Sequence, residues 1–202
     1  MTATPSLIIG LTGRKRTGKD TFAARLVEAH GYTRAAFADG VKAAALALDP
    51  VVYPGEHLDD AMRLSEIVEE LGWETAKDDF PEVRRTLQRL GTDVVRAINP
   101  DTWVDAAFAA LDTDGPVVFT DVRFPNEADA IRARGGLIGR IERKGVDDGD
   151  THASETAMDG YDVDFTVKDP NGDRTIEDLR ATADAIAHEA PLVAFLKLIA
   201  DA

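Results

Sequence analysis

The stretch LIIGLTGRKRTGKDTFA, Leu7 to Ala23, passes from an apolar run into a helical pattern through a loop that holds two glycines and four cations. Leu7 to Leu11 is short and apolar, which predicts a buried parallel strand. Asp20 to His30 carries Phe22, Leu26 and Val27 at helical spacing and stops at Gly31. Between them GRKRTGK has the spacing Gly-x-x-x-x-Gly-Lys, placed at a strand-to-helix turn. Successive backbone N–H groups in such a loop form an anion-binding concavity, to which the positive helix N-terminus adds. Gly13 and Gly18 let the backbone curl inward, and Lys19 reaches toward the β- and γ-phosphates of a nucleotide. The alternative is a plain glycine turn with solvated charges; spacing and context together favour the phosphate loop.

The rest of the chain makes that cationic loop unusual. The formal net charge is -14 over 202 residues, a field that repels phosphate at long range and argues against a nucleic-acid coat protein. Any phosphate must meet a local cationic pocket, so the clustering of the arginines is more informative than their number. At 44% hydrophobic residues the chain is long enough to bury one sizeable core, and a single domain with excursions is expected over residues 1–202. With no cysteine there is no disulfide framework, thiolate metal site or cysteine nucleophile, which suits a reducing compartment. Four histidines without paired ligand spacing speak against structural zinc. The N-terminus lacks the pattern of a secretory signal, and no segment reaches the ~18 apolar residues of a membrane span. A cytoplasmic protein with neither membrane nor nucleic-acid partners is expected.

Further along, Tyr32 to Ala38 reads as a second, weaker strand. From Asp39 to about Ile98 strand signals nearly vanish, and VKAAALALD, DDAMRLSEIVEELGW and PEVRRTLQRLGTDVVRAI are helical in period. PDTWVDAAFAALD predicts a helix started by Pro100 or Asp101. PVVFTD is the most strongly β run and is closed by Asp121; NEADAIRARGG is a helix and LIGRIER a fourth strand. KGVDDGDTHASETAMDG has no periodicity and reads as a loop. DVDFTVKD makes a fifth strand, TIEDLRATADAIAHEA an amphipathic helix, and LVAFLKLIA a separate helical segment after Pro191, closing the core or forming a homodimer contact. Strand and helix in alternation predict an α/β fold with a five-stranded parallel sheet covered on both faces. In such sheets ligands sit at the carboxyl ends of the strands.

Residues at those ends carry the candidate chemistry. Asp20 follows the loop lysine where Ser or Thr usually ligates Mg²⁺, and the hydroxyl comes one position later, at Thr21. Asp121 ends the third sheet strand, the usual place for a second acidic residue holding a metal-bound water or a substrate hydroxyl, although such an Asp also serves as a helix cap. In PEVRRTLQRLGTDVVRAI, Val83, Leu87, Leu90 and Val94 form an apolar stripe facing the core, while Arg85, Arg89, Thr92 and Arg96 form a polar one. Arg84 and Arg85 read as solvated; Gln88 and Arg96 are placed to grip a base edge and a phosphate. Asp39 is either the N-cap of the following helix or a contact to an acceptor's sugar, with Phe37 or Trp103 as a stacking face.

Taken together, GLTGRKRTGKDT, FADGVK, LQRLGTDVVR, DTWVDA, FTDVRFPNEADAIRARGG and HASE resemble the deoxynucleoside monophosphate kinases of tailed bacteriophages, from about residue 7 to residue 185. The joint pattern is what is specific, since the phosphate loop alone marks a very large superfamily. The Gly-Lys-x-Thr form of the loop is similar to that of adenylate kinase-like enzymes, where magnesium is held largely through water. In DVRFP the arginine of the family's Asp-x-Phe-Pro-Arg turn stands ahead of Phe-Pro, as Arg123. The resemblance implies a phosphate-loop nucleoside triphosphatase fold of three layers, α/β/α. It also implies a helical acceptor-binding insert over about residues 39–100 and a lid over about 143–160. The implied activity is transfer of the ATP γ-phosphoryl group to a deoxynucleoside monophosphate, with Mg²⁺.

Carried onto this chain, Gly13, Arg14, Thr17, Gly18, Lys19, Asp20 and Thr21 would hold the donor phosphates, and Lys168, Asn171 and Gly172 the adenine. Asp39, Lys42, Gln88, Arg96, Asp121 and Arg123 would surround the acceptor. Arg140, Arg143 and Lys144 would be lid cations, with Arg143 catalytic alongside Lys19, Asp121 and Arg123. Asp20, Thr21 and Asp121 would meet the metal. His152 and Glu155 match a family motif, for which a capped turn is the plain reading. The acceptor phosphate is mostly dianionic at neutral pH, its second pKa being about 6, so no general base is required. Catalysis then rests on positioning and on spreading positive charge. A dephospho-coenzyme A kinase on the same core, or a nucleotide-binding module without an acceptor, are the rival readings.

Overall fold

The computed structural model describes residues 6–55, 60–146 and 152–200. In chain order the elements begin with β1 (Ile8–Thr12), α1 (Lys19–His30), β2 (Thr33–Ala35), α2 (Ala38–Leu48), β3 (Val51–Tyr53), β4 (Met62–Arg63), α3 (Leu64–Asp79) and α4 (Pro81–Gln88). A π-helical segment (Arg89–Arg96) follows, then α5 (Thr102–Ala109), β5 (Val117–Phe119), α6 (Pro125–Arg132), β6 (Leu137–Arg143), α7 (Ala153–Thr156), β7 (Phe165–Asp169) and α8 (Ile176–Ala200). The chain divides into two units, Met1–Phe37 with Val104–Ala202, and Ala38–Trp103.

The first unit is a five-stranded sheet in the order β2-β5-β1-β6-β7. Every pairing in it is parallel, with Ile9 opposite Val118 on one side and Leu137 on the other. Alternation along the strands sends Ile9, Leu11, Val118 and Ile141 into one cluster with Phe22 and Leu26 of α1 and Leu179 and Ala183 of α8. Ile8, Val117, Phe119 and Ile138 enter the opposite cluster with Val104, Ala128 and Ile131. Each fully buried Val, Leu, Ile or Phe among these contributes about 1.5–3 kcal/mol relative to exposure. The sheet is thus covered on both faces by helices, the three-layer α/β/α arrangement. Strand order reverses at β1, whose carboxyl end feeds the phosphate loop.

The second unit has its own core, in which Ala45, Val52, Leu64, Ile67, Ala76 and Val83 are fully buried or nearly so. It also holds an antiparallel pair, β3 with β4, which the expectation of an all-helical segment omits. The β-branched and aromatic run VVY was the available signal.

Winding differs from expectation in three further places. PEVRRTLQRLGTDVVRAI is not one α-helix: α4 ends at Gln88 and the chain continues with π winding to Arg96. Bonding five residues ahead widens each turn, so positions three and four apart no longer share a face. Val83 is buried accordingly, yet Val94, expected on the same apolar stripe, is 52% exposed. Next, α8 runs unbroken through Pro191. Beyond that proline Leu192, Phe195, Leu196 and Ile199 are exposed, so the segment meets the core only in part, through Ala194. Finally, the run read as an unstructured loop contains the helical turn α7; residues 147–151 of the expected lid lie outside the described residues. Among the described residues no helix is long and apolar enough to cross a membrane.

Candidate active site

The phosphate loop is shaped by contacts of its own backbone. Gly13 takes φ 132°, and a Cβ there would stand 2.2 Å from the carbonyl oxygen of Ile141 in β6. No other residue lets the chain pass so close. Arg16 turns through φ 63° and Gly18, the residue ahead of α1, through φ 103°. The Thr17 hydroxyl donates to the Arg14 carbonyl at 2.9 Å. Lys19 folds its ammonium back over the loop and donates to the carbonyls of Gly13 and Arg14, both at 2.7 Å. Only 7% of Lys19 is exposed. Burial, aided by the charge of Arg123, pushes its pKa down to about 8 against the opposing pull of Asp20, Glu155 and Asp121.

A cavity of about 290 Å³ opens beside the loop, walled by Gly13, Arg14, Thr17, Arg123, Arg143 and Glu155 among others. Arg123 enters from the turn after β5. Its backbone N–H donates to Glu127 Oε2 at 2.7 Å, and its Nη1 donates to Glu155 Oε1 and to the Ser154 carbonyl. Arg14 pairs with Asp159 at 2.8 Å. Asp121 stands two residues beyond β5, and its Oδ1 accepts the Phe37 N–H at 2.9 Å. A smaller cavity of about 60 Å³ is lined by Thr21, Arg143, Asp169, Arg174 and Thr175. Asp169 organises that turn by accepting the N–H groups of Gly172, Asp173 and Arg174, and Arg143 Nη2 donates to the Gly172 carbonyl at 3.0 Å.

The two expected stacking faces and the expected cap are corrected by these positions, and the other candidates lie as follows. Phe37 is a core residue rather than a stacking face, its ring stacked on Phe119 with centroids 4.5 Å apart and met edge-on by Phe108. Trp103 is also buried and donates its indole N–H to the Gly91 carbonyl at 2.9 Å. Asp39 is not an N-cap, because α2 already begins at Ala38 and Asp39 lies in its first turn. Arg140 is a strand residue that lines the larger cavity and whose guanidinium donates to the carbonyls of Met158 and Tyr161, which ties down that segment. Lys168 and Asn171 are exposed and line neither cavity, and Lys144 is exposed after β6. Asp20 is exposed in the first turn of α1.

Arg174 and Asp169 were missed in the sequence. An Asp closing the last strand and a basic residue just before α8 were the only local signals. His152 is the expected cap: its Nδ1 accepts the Ser154 N–H at 3.2 Å. Within the second unit, Lys42 lies 3.8 Å from Asp39 and over the Trp73 ring. Gln88 closes α4 and Arg96 closes the π-helical segment, both half-buried. Arg84 pairs with Asp78, and Arg85 with Glu82.

Three likenesses accompany this geometry. The model of the deoxynucleotide monophosphate kinase family matches residues 51–183. A protein of Acanthamoeba polyphaga mimivirus with the provisional name deoxynucleotide monophosphate kinase is 30% identical over 174 residues, 78% of this chain and 86% of its own length. That relative comes from a giant virus, not from a tailed bacteriophage. A solved shikimate kinase from Aquifex aeolicus covers 93% of this chain and 99% of its own with a TM-score of 0.43 and 11% identity, a level that adds nothing to the strand order described above. The match over most of the chain and the relative agree, and with the phosphate loop in place the protein belongs to the deoxynucleotide monophosphate kinase family of phosphotransferases.

Proposed function

We propose that the protein transfers the γ-phosphoryl group of ATP to a deoxynucleoside monophosphate, giving ADP and the diphosphate. The observation that carries this reading is geometric: Gly13, Arg14 and Thr17 of the phosphate loop wall one cavity together with Arg123, which the family motif assigns to the acceptor side, and the buried Lys19 folds back over that loop. Two anions must be brought together, and buried cations at that junction offset their repulsion and the charge spread over the transferring group. Lys19 and Arg123 supply this, while Arg14 and Arg143 line the cavity with Arg123. The acceptor phosphate attacks as a dianion and needs no base.

The donor set suits magnesium arriving with the nucleotide rather than a resident ion. Among the described residues no three His, Asp or Glu side chains gather, and Mg²⁺ characteristically takes one or two carboxylates plus phosphates and waters. Thr21 and Asp121 would hold it, through water, and it would neutralise phosphate charge.

Asp39, Lys42, Gln88 and Arg96 of the second unit are assigned to the acceptor. Arg96→Ala is expected to raise the acceptor KM about tenfold with little change in kcat, the loss of one charge-assisted hydrogen bond. Steady-state kinetics against each monophosphate measures this, and an unchanged KM removes Arg96 from the site. The overall proposal is tested by coupled ADP release with deoxynucleoside monophosphates, their ribose counterparts, dephospho-coenzyme A and no acceptor. Release that requires a deoxynucleoside monophosphate supports it. Preference for dephospho-coenzyme A, or hydrolysis indifferent to any acceptor, rejects it.

A further inference from the structure

The turn from His152 to Glu155 takes no part in the chemistry above, yet it places a carboxylate against the phosphate-binding cavity. The Glu155 side chain is 14% exposed and pairs with Arg123. Its Oε2 is buried without a hydrogen-bond partner among the described residues. A carboxylate there repels any phosphate entering the cavity, so its presence requires a compensating gain.

The geometry points to Glu155 as a positioning residue that acts through Arg123. A guanidinium carries five N–H donors in a fixed fork. Both bonds from α7, to Glu155 Oε1 and to the Ser154 carbonyl, fall on Nη1, so the turn holds one corner of the fork and leaves its other donors for an anion. The base of the same side chain is set separately, since the Arg123 N–H is held by Glu127. Fixing an arginine at both ends removes most of its rotameric freedom before substrate binds. The His-x-Ser-Glu spacing follows from the same device. His152 caps the turn through the Ser154 N–H, and the Glu155 N–H closes it on the His152 carbonyl at 2.8 Å, which aims the Glu155 side chain at Arg123.

This inference rests on the cavity being the phosphoryl-transfer site, and its test separates the two. Glu155→Ala is expected to lower kcat about 10²-fold, the cost of a misplaced catalytic group, while the acceptor KM shifts less than about threefold. Glu155→Gln, which keeps an acceptor for Nη1, is expected to retain more activity than Glu155→Ala. Combining Arg123→Ala with Glu155→Ala should add no further loss to that of Arg123→Ala. Losses that multiply in the double variant, or equal activity of the Gln and Ala variants, overturn the assignment.

Should the wild-type protein transfer nothing, the functional reading fails but the pairing is still tested by ATP calorimetry. Arg123→Ala leaves the Glu155 charge facing the loop and is expected to weaken ATP binding about tenfold. Adding Glu155→Gln to it should recover most of that affinity. Equal ATP affinity of the single and double variants overturns the inference. Circular dichroism establishes that each variant is folded, and if Glu155→Ala is not, Glu155→Gln carries the kinetic comparison.

Discussion

Lys19→Ala is expected to lose at least about 10³-fold in kcat while the chain stays folded, the scale on which a buried, preorganised charge acts on a transition state. Lys19 is buried, stands within the field of Arg123, Asp121 and Glu155, and is held by two loop carbonyls. Single-turnover transfer of labelled phosphate, with circular dichroism as the control, measures the effect. A loss below tenfold would contradict the role of Lys19.

The same residue sets a pH dependence. Burial holds its pKa at about 8 in the ligand-free protein, so the ammonium is present below pH 8 and is lost as pH rises through it. The profile of kcat/KM, which reports the free enzyme, is therefore expected to fall above about pH 8. Bound phosphates favour the charged form, so kcat should persist to higher pH. Stability carries the opposite sign. The unfolded lysine keeps its proton up to about 10.5 while the folded one releases it near 8, so between these values this group makes folding more favourable as pH rises. A kcat/KM profile flat to pH 10 would reject the assignment.

Gly13→Ala is the second large effect. The new methyl would meet the Ile141 carbonyl at 2.2 Å from a backbone at φ 132°, so steric overlap and an unfavourable backbone region act together. Ile141 is fixed in the sheet by its pairing with Val167 of β7, and Gly13 directly follows Thr12, the last β1 residue paired with β6, so neither can retreat without disturbing that ladder. The sum of a strained backbone and an overpacked contact is roughly 3–5 kcal/mol. Urea unfolding measures it, and a cost below about 1 kcal/mol would show that the loop is free to move away from β6.

Local pattern made the sheet legible. β1 and β5 are apolar runs and β6 and β7 alternate, each closed by a turn, and the loop motif needs only seven consecutive residues. What stayed hidden depends on partners distant in sequence. Nothing in the neighbourhood of Phe37 says that its ring stacks on Phe119, or in that of Trp103 that the indole bonds Gly91. RLGTDVVR follows an α-helical period on paper, and nothing in it announces the π winding after Gln88. Arg123 and Glu155 lie 32 positions apart, so each was visible as a motif residue while their pairing was not. Pro191, which ordinarily ends a helix, sits inside one.

The four arginines lining the larger cavity are all tethered: Arg14 to Asp159, Arg123 to Glu155, Arg140 to two carbonyls, and Arg143 to Asp169 and Gly172. Selectivity by denticity follows. Because the Arg123 tethers occupy one nitrogen only, an anion that meets several of these guanidiniums at once gains from all of them without displacing their partners, whereas chloride or orthophosphate reaches too few to gain much. Ordinary cellular salt is therefore expected to compete poorly there with a ligand that carries several phosphates.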